Sequence, residues 1–253
     1  MNIVSTLNEK LLKQPFEEDL LQPALLAKHQ ETACKYAETE NSIAVLSDLK
    51  SNKSYIYNGG LATGLGLSTE ESKEIDSIWE EEIFSKIHPD DLTEKHLLEL
   101  RFFHLLKKLP VSERSDYHII SKIRMLDRSG QYIPIHHRTF YVCSSPRGNL
   151  WLALCLYNYS YEKSAHETYE GIIVNSSTGD IIQPDKQKCN DILSGREKEI
   201  LRLIEKGNIS KEIGDILSIS TNTVNRHRQN ILEKLHVKNS FEACRIAKLM
   251  NLL

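Results

Sequence analysis

The side chains best placed to do chemistry in this sequence are Asn225, Arg226 and Gln229, set in the run SISTNTVNRHRQNILEKLHVKNS at 218–240. Read as a helix, the run puts Val224, Ile231 and Leu235 on one stripe and the three polar side chains on the other face. Arginine can pair bidentately with guanine, and asparagine or glutamine with adenine, so such a face can read base edges in a DNA major groove. The competing reading is a solvated helix surface. Around this face, Lys211, Thr221, Thr223, His227, Arg228 and Lys234 carry donors suited to phosphates, contacts that set register and salt dependence rather than sequence choice. Pairing within the domain is the alternative for each, and Glu197 and Lys234 in particular could serve the fold.

The front of the chain offers no comparable constellation. His136 and His137 are adjacent in a strand pattern and point to opposite faces, so they do not jointly hold a metal. His96 and His104 lie on a helical stretch, where packed histidines outweigh a haem ligand. His88-Pro89-Asp90-Asp91 reads as a helix entry whose carboxylates the N-terminal dipole favours, not as an acid/base pair. Tyr55, Tyr57, Tyr132, Phe140, Trp151 and Tyr157 could line a small-molecule cavity, with a packed aromatic core the stronger reading. There is no phosphate-binding glycine loop, catalytic Ser/His/Asp set or zinc spacing, and no receiver-like βα alternation with an early acidic pair. Neither an enzyme nor a bound cofactor or metal is expected, and any ligand-binding residues remain unassigned.

The elements that position the polar face are short and capped. Ser220 or Thr221 can start the helix by accepting from its first free N–H groups. Before it, 210–218 reads as a shorter helix entered through Ser210, with Ile213, Ile216 and Leu217 facing inward. Two capped helices separated by so few residues form a helix-turn-helix, whose second helix enters the major groove. Upstream, Ser194 with Glu197 has capping-box spacing, and Leu201 and Ile204 join the expected core.

The stretch LSGREKEILRLIEKGNISKEIGDILSISTNTVNRHRQNILEKLHVKNSFEA at 193–243 resembles the DNA-binding domain of LuxR-type (LuxR/FixJ/GerE) bacterial transcriptional regulators. The match runs in register through Leu193, Arg196, Glu197, Glu199, Leu201, Gly207, Lys211, Glu212, Ile213, Leu217, Ser220, Thr223, Val224, His227, Ile231, Leu232, Lys234, Leu235, Val237 and Ala243. This resemblance implies a four-helix domain whose third helix reads the groove and whose fourth often supports dimerisation. The family often has lysine where this chain has Asn225, so base preference does not carry over. It usually has alanine at Gly214, where glycine costs a helix about 1 kcal/mol.

Composition agrees with a two-part protein. The net charge of −3 over 253 residues hides an asymmetry. Residues 190–253 hold eleven Lys/Arg against eight Asp/Glu, net +3, which leaves −6 for the rest. A basic tail on an acidic body suits contact with nucleic acid at one end. Five widely spaced cysteines without a CxxC pair indicate neither a disulfide framework nor a zinc site. The charged N-terminus is no signal peptide, and no apolar run approaches the roughly 20 residues of a membrane helix, so a cytoplasmic protein without membrane contact is expected.

In order, the chain reads as helices at 3–12 and 23–39, strands at 42–49 and 53–60, a helix start at Ser68–Glu71, and helices at 78–87 and 92–109. Three longer strands at 117–126, 131–144 and 150–160 follow, joined by turn sequences. This order resembles the PAS fold, and YIYNGGLATGLGLSTEE at 55–71 and IHPDDLTE at 87–94 are similar to segments common in PAS domains. GIIVN and DIIQ suggest a small hairpin, and 184–190 a polar linker.

The expected architecture is α+β: a PAS-like antiparallel sheet with helices, followed by an all-α four-helix helix-turn-helix domain. Its divisions are an N-terminal helical cap at 1–40, a PAS-like sensory domain at 41–161, a hairpin and linker at 162–188, and the DNA-binding domain at 189–253. The expected function is sequence-specific transcription regulation through double-stranded DNA, as a homodimer on two half-sites. A small molecule or protein would signal at the front domain, and RNA polymerase is a candidate partner. A protein-interaction module with only nonspecific DNA affinity is the alternative.

Overall fold

A computed structural model describes residues 3–16, 22–68, 70–161, 170–182, 193–235, 237 and 239–249. The 184–190 linker expected from sequence lies outside them. The chain divides into two compact units, residues 10–182 and residues 183–253 together with 1–9. No helix among the described residues is long and apolar enough to cross a membrane.

Helix α1 spans Ile3–Leu12 and α2 spans Pro23–Glu40, the latter with proline in its first turn, where the missing N–H costs nothing. Asn41 ends α2 in the left-handed region (φ 52°), and its side-chain oxygen accepts from Gly60 N. Gly59 fits the same junction because a Cβ there would lie 2.6 Å from the Asn41 carbonyl carbon. Strands β1 (Ile43–Asp48) and β2 (Lys53–Asn58) then pair antiparallel.

The region after β2 departs from the local signals. LATGLGL begins within α3 (Gly60–Leu65), and Ser68 starts no helix: its Oγ accepts from Glu70 N, and the chain enters β3 (Ser72–Ile75). Pairing with β2 satisfies a row of backbone groups there, which outweighs a one-turn cap. The expected 78–87 helix shrinks to α4 (Glu81–Phe84), because Glu80 turns inward to Ser47 and Ser54. Helix α5 (Pro89–Lys108) begins earlier than expected, capped by His88 Nδ1, which accepts from Asp90 N at 3.3 Å.

A meander follows: β4 (Tyr117–Leu126), β5 (Tyr132–Ser144) and β6 (Leu150–Tyr159). The hairpin β7 (Glu170–Asn175) and β8 (Ile181–Ile182) does not stand apart as a connector; β7 pairs with β4 and extends the sheet. The antiparallel strands lie in the order β3-β2-β1-β6-β5-β4-β7-β8. Alternation along β4 buries Ile119, Ile123 and Met125 on one face, and Ile123 and Met125 meet an apolar core with Ile43, Leu61, Leu65 and Ile83.

Polar groups also sit between this sheet and α5. Glu80 is buried and accepts from Ser47 Oγ and Ser54 Oγ at 3.2 Å each. Burial pushes its carboxyl up to about 7, against the pull of Lys95. His96 stands edge-on to Trp79 and Phe84, and burial pushes its ring down to about 3.

The two groups give opposite pH dependences. Folded Glu80 holds its proton between pH 4.5 and about 7 where the unfolded chain releases it, so this contribution to stability falls as pH rises through that window. His96 stays neutral when folded, so its contribution falls as pH drops from 6.5 toward 3. Glu80→Gln should remove the alkaline-going decline, worth about 1 kcal/mol or more. Urea melts at pH 5 and 7 check this as the difference between the two proteins, since the opposing His96 contribution is common to both; the same change with pH in wild type and variant would contradict it.

The other unit contains α6 (Gly195–Glu205), α7 (Ser210–Leu217), α8 (Thr221–Leu235) and α9 (Ser240–Leu249). Helix α8 packs against α6, α7 and α9, with Leu201, Ile213, Val224, Ile231, Leu235 and Ala243 buried among them.

Candidate nucleic-acid interface

The helix pair is held by caps that local chemistry explains. Of the two candidate caps, Ser220 is the one used: its Oγ accepts from Thr223 N at 3.1 Å and starts α8. Ser218 (φ 55°) closes α7, and Arg196 Nη2 donates to Leu217 O at 2.7 Å. Ser210, expected as the cap of α7, is already its first residue. The free N–H of Ile209 is instead met by the Glu212 carboxylate at 2.9 Å, reaching back one turn. Ile216, expected inward, is 55% exposed, because the buried stripe of this two-turn helix narrows to Ile213 and Gly214. Leu217 and Ile204 are half-buried at the edge of the core.

Gly214 lies against the turn that follows α7. A Cβ there would lie 2.8 Å from Ile219 O, a backbone atom that cannot rotate away. Glycine is therefore more than a lost helix former here. Gly214→Ala should lose about 1–2 kcal/mol despite alanine's better propensity, because overpacking outweighs it. A rise in the denaturation midpoint of the variant would contradict that.

Asn225, Arg226 and Gln229 are all exposed on α8, opposite the buried Val224, Ile231 and Leu235. Gln229 Nε2 makes a long contact of 3.4 Å with Glu233 Oε1, and Asn225 and Arg226 have no side-chain partner among the described residues. The six expected phosphate donors divide. Lys211 and Thr221 are exposed; Thr223 is exposed with its hydroxyl 2.8 Å from Ser220 Oγ. His227 is half-buried, and its Nδ1 lies inside without a hydrogen-bond partner among the described residues.

Arg228 and Lys234 are engaged within the domain. Arg228 Nη1 donates to Ser210 Oγ at 2.8 Å and Nη2 to Ser240 Oγ at 3.0 Å, so one guanidinium ties α8 to α7 and α9. Lys234 Nζ donates at 2.7 Å to Glu197 Oε2, which also accepts from Ser194 N at 2.7 Å. Burial would raise the Glu197 pKa, but the bonds from Lys234 and Ser194 outweigh it and hold the carboxyl below its ordinary range. The sequence already offered Lys234 and Glu197 as residues that serve the fold, but nothing local separates the inward-tied Arg228 from the outward-facing Arg226.

In the front unit, the six aromatics, weighed as a cavity lining or more strongly as a packed core, divide between core and surface. Trp151 and Tyr157 are buried, Trp151 donating to Asp48 Oδ1 at 2.8 Å, while Tyr132 is 46% exposed and Phe140 stacks on His118. His136 and His137 do face opposite ways, the first partly exposed and the second fully buried.

Residues 191–247 match the family described as bacterial regulatory proteins, luxR family. The chain is 31% identical over 99 residues to the uncharacterized response regulatory protein YgeK of Escherichia coli K12, covering 37% of this chain and 67% of that protein. It is 51% identical over 51 residues to the transcriptional regulatory protein DesR of Bacillus subtilis 168, covering 20% of this chain and 26% of DesR. Over 52 residues it is 52% identical to the regulatory protein SdiA of Escherichia coli K12, covering 20% and 22%. The chain thus spans about a quarter of DesR and SdiA. The crystal structure of the phage VqmA–DPO complex aligns over 90% of this chain and 92% of that one at 12% identity, with a TM-score of only 0.31. A capped helix-turn-helix and a match in register define the class: a bacterial regulatory protein with a GerE-type domain. The chain belongs to the luxR family of these regulators.

Proposed function

We propose that this protein is a sequence-specific DNA-binding transcriptional regulator in which α8 lies in the major groove and Asn225, Arg226 and Gln229 contact base edges. The observation that carries this reading is the outward row on α8, whose Arg226 has no partner among the described residues while its neighbour Arg228 has two. Lys211, Thr221 and Thr223 flank the row as phosphate donors, with His227, Arg228 and Lys234 lending any donors their internal bonds leave free. The protein acts in the cytoplasm as a homodimer on half-sites about one helical turn apart, within reach of RNA polymerase.

The front unit serves as a PAS-like sensory or dimerising domain for a small-molecule or protein signal. Three strands with short helices among them, one long helix and a three-stranded meander support that reading. The signal changes how two output domains are presented across the 184–190 linker.

Selection of bound duplexes from a random DNA pool, by the full chain at physiological salt, tests the regulator reading. A two-fold-related motif is the expected result. Salt-sensitive binding without enrichment, by the full chain and by residues 189–253 alike, would favour the interaction-module alternative.

A further inference from the structure

The polar layer between the sheet and α5 contains a donor set that the regulator reading does not use. Glu99 on α5, His137 on β5 and Cys155 on β6 each offer one ligand atom, all within 4.8 Å of one another. The sheet register explains the meeting: Cys155 pairs with Thr139, two residues along β5 from His137, so both side chains point to the face that α5 covers. Glu99 reaches the same place from α5, its side chain 13% exposed. Five widely spaced cysteines hid this in the sequence, since only the fold brings one of them to a histidine and a carboxylate.

Three further observations single the set out from an ordinary buried polar cluster. His137 Nδ1 lies 3.1 Å from Ser121 Oγ, an outer contact that fixes the ring and leaves Nε2 toward the cluster. The Thr139 hydroxyl is 3.4 Å from His137 Nε2 and 3.7 Å from Cys155 Sγ, so one small group already spans the two donors. Beside them is a cavity of about 40 Å³ bordered by Ser47, Glu80, Lys95, Glu99, Thr139 and Cys155. That is room for a bound water or two next to an ion, since one water needs roughly 10–15 Å³.

We propose that Glu99, His137 and Cys155 form a binding site for a divalent late transition metal ion of the zinc type, with a fourth position open to the cavity. Sulfur, imidazole nitrogen and carboxylate oxygen together match zinc's borderline preference, and three protein ligands with an open position are a known arrangement for it. The charges balance: the thiol loses its proton to solvent on binding, and one thiolate and one carboxylate neutralise the ion. In the metal-free protein Lys95 Nζ occupies part of this role, donating to Glu99 Oε1 at 2.6 Å. The ion competes with that ammonium for Glu99, and Lys95 then keeps Glu80, whose charge already acts on it. Donor separations, none above 4.8 Å, must close by at most about 1.5 Å to reach tetrahedral zinc distances, a side-chain adjustment. As an input to transcription this site rests on the proposed function; as a metal site it does not.

The test is a cobalt(II) titration of the full chain in reducing, chelator-stripped buffer, followed by absorbance. One equivalent should produce a thiolate-to-cobalt charge-transfer band with tetrahedral visible bands. Cys155→Ser should weaken binding by at least about 100-fold, beyond the loss usual for outer-shell changes. A variant with Cys34, Cys143, Cys189 and Cys244 all changed to serine leaves the site intact and should keep the band, which protects the test if Cys155→Ser does not fold. No charge-transfer band in the wild type, a band that survives Cys155→Ser, or one lost in the four-serine variant would overturn the site. DNA selection on the same preparation reads the regulator hypothesis separately.

Discussion

Arg226→Ala should lower affinity for the selected operator by roughly 5- to 150-fold per half-site, equivalent to about 1–3 kcal/mol, and relax choice at one base position in each. Arg226 is exposed and bonds to no side chain among the described residues, so the folding free energy of the variant should stay within about 0.5 kcal/mol of wild type. Arg228→Ala, two residues along the same helix, should do the reverse. It breaks the bonds to Ser210 and Ser240, costing about 1–2 kcal/mol of stability, and relaxes no base position. Competition binding against single-base operator variants, with urea melts of both proteins, separates the two. A uniform loss across all operator variants for Arg226→Ala would make Arg226 a phosphate contact and leave base reading to Asn225 and Gln229.

The contrast between these arginines marks how far the sequence was readable. Helices α6 and α8 were legible because their signals are local: Ser194 with Glu197, Ser220 before a stripe of Val224, Ile231 and Leu235. Where a local signal met a longer-range competitor, it lost. Ser68 with Glu71 had the spacing of a cap, but β2 offered a whole strand edge to pair with. Ser210 had the right type for a cap, but it became the first helical residue, and Glu212 met the Ile209 N–H from inside the helix. The side chains that decide a site were the least legible, because partners such as Ser240 for Arg228, or His137 for Cys155, come from elements the sequence does not order in space.

The two carboxylates that open α5 give the clearest separation of a local effect from a tertiary one. By sequence, Asp90 and Asp91 are equivalent acids in a first helical turn, each favoured by the dipole by about 0.3–1 kcal/mol. In the fold they diverge: the Asp90 side chain is 67% exposed and that of Asp91 only 1%. Asp91 Oδ2 accepts from Arg124 N at 2.7 Å and Arg124 Nε at 2.9 Å, and Oδ1 accepts from Nη2, so one carboxylate joins the start of α5 to β4. The bond to Asp91 is also the main reason the Arg124 pKa rises.

Removing one partner of a buried pair costs about 3–5 kcal/mol when the other charge is left buried. The Arg124 side chain is 33% exposed and can recover some hydration, which places Asp91→Ala at the lower end, about 3 kcal/mol. Asp90→Ala should cost no more than about 1 kcal/mol. Urea denaturation of both variants, with unchanged slope, measures the difference. Equal losses would mean that both carboxylates serve the helix dipole and that the Arg124 bonds add nothing; a loss confined to Asp91→Ala makes the α5–β4 junction a principal support of the sheet face on which Glu99, His137 and Cys155 meet.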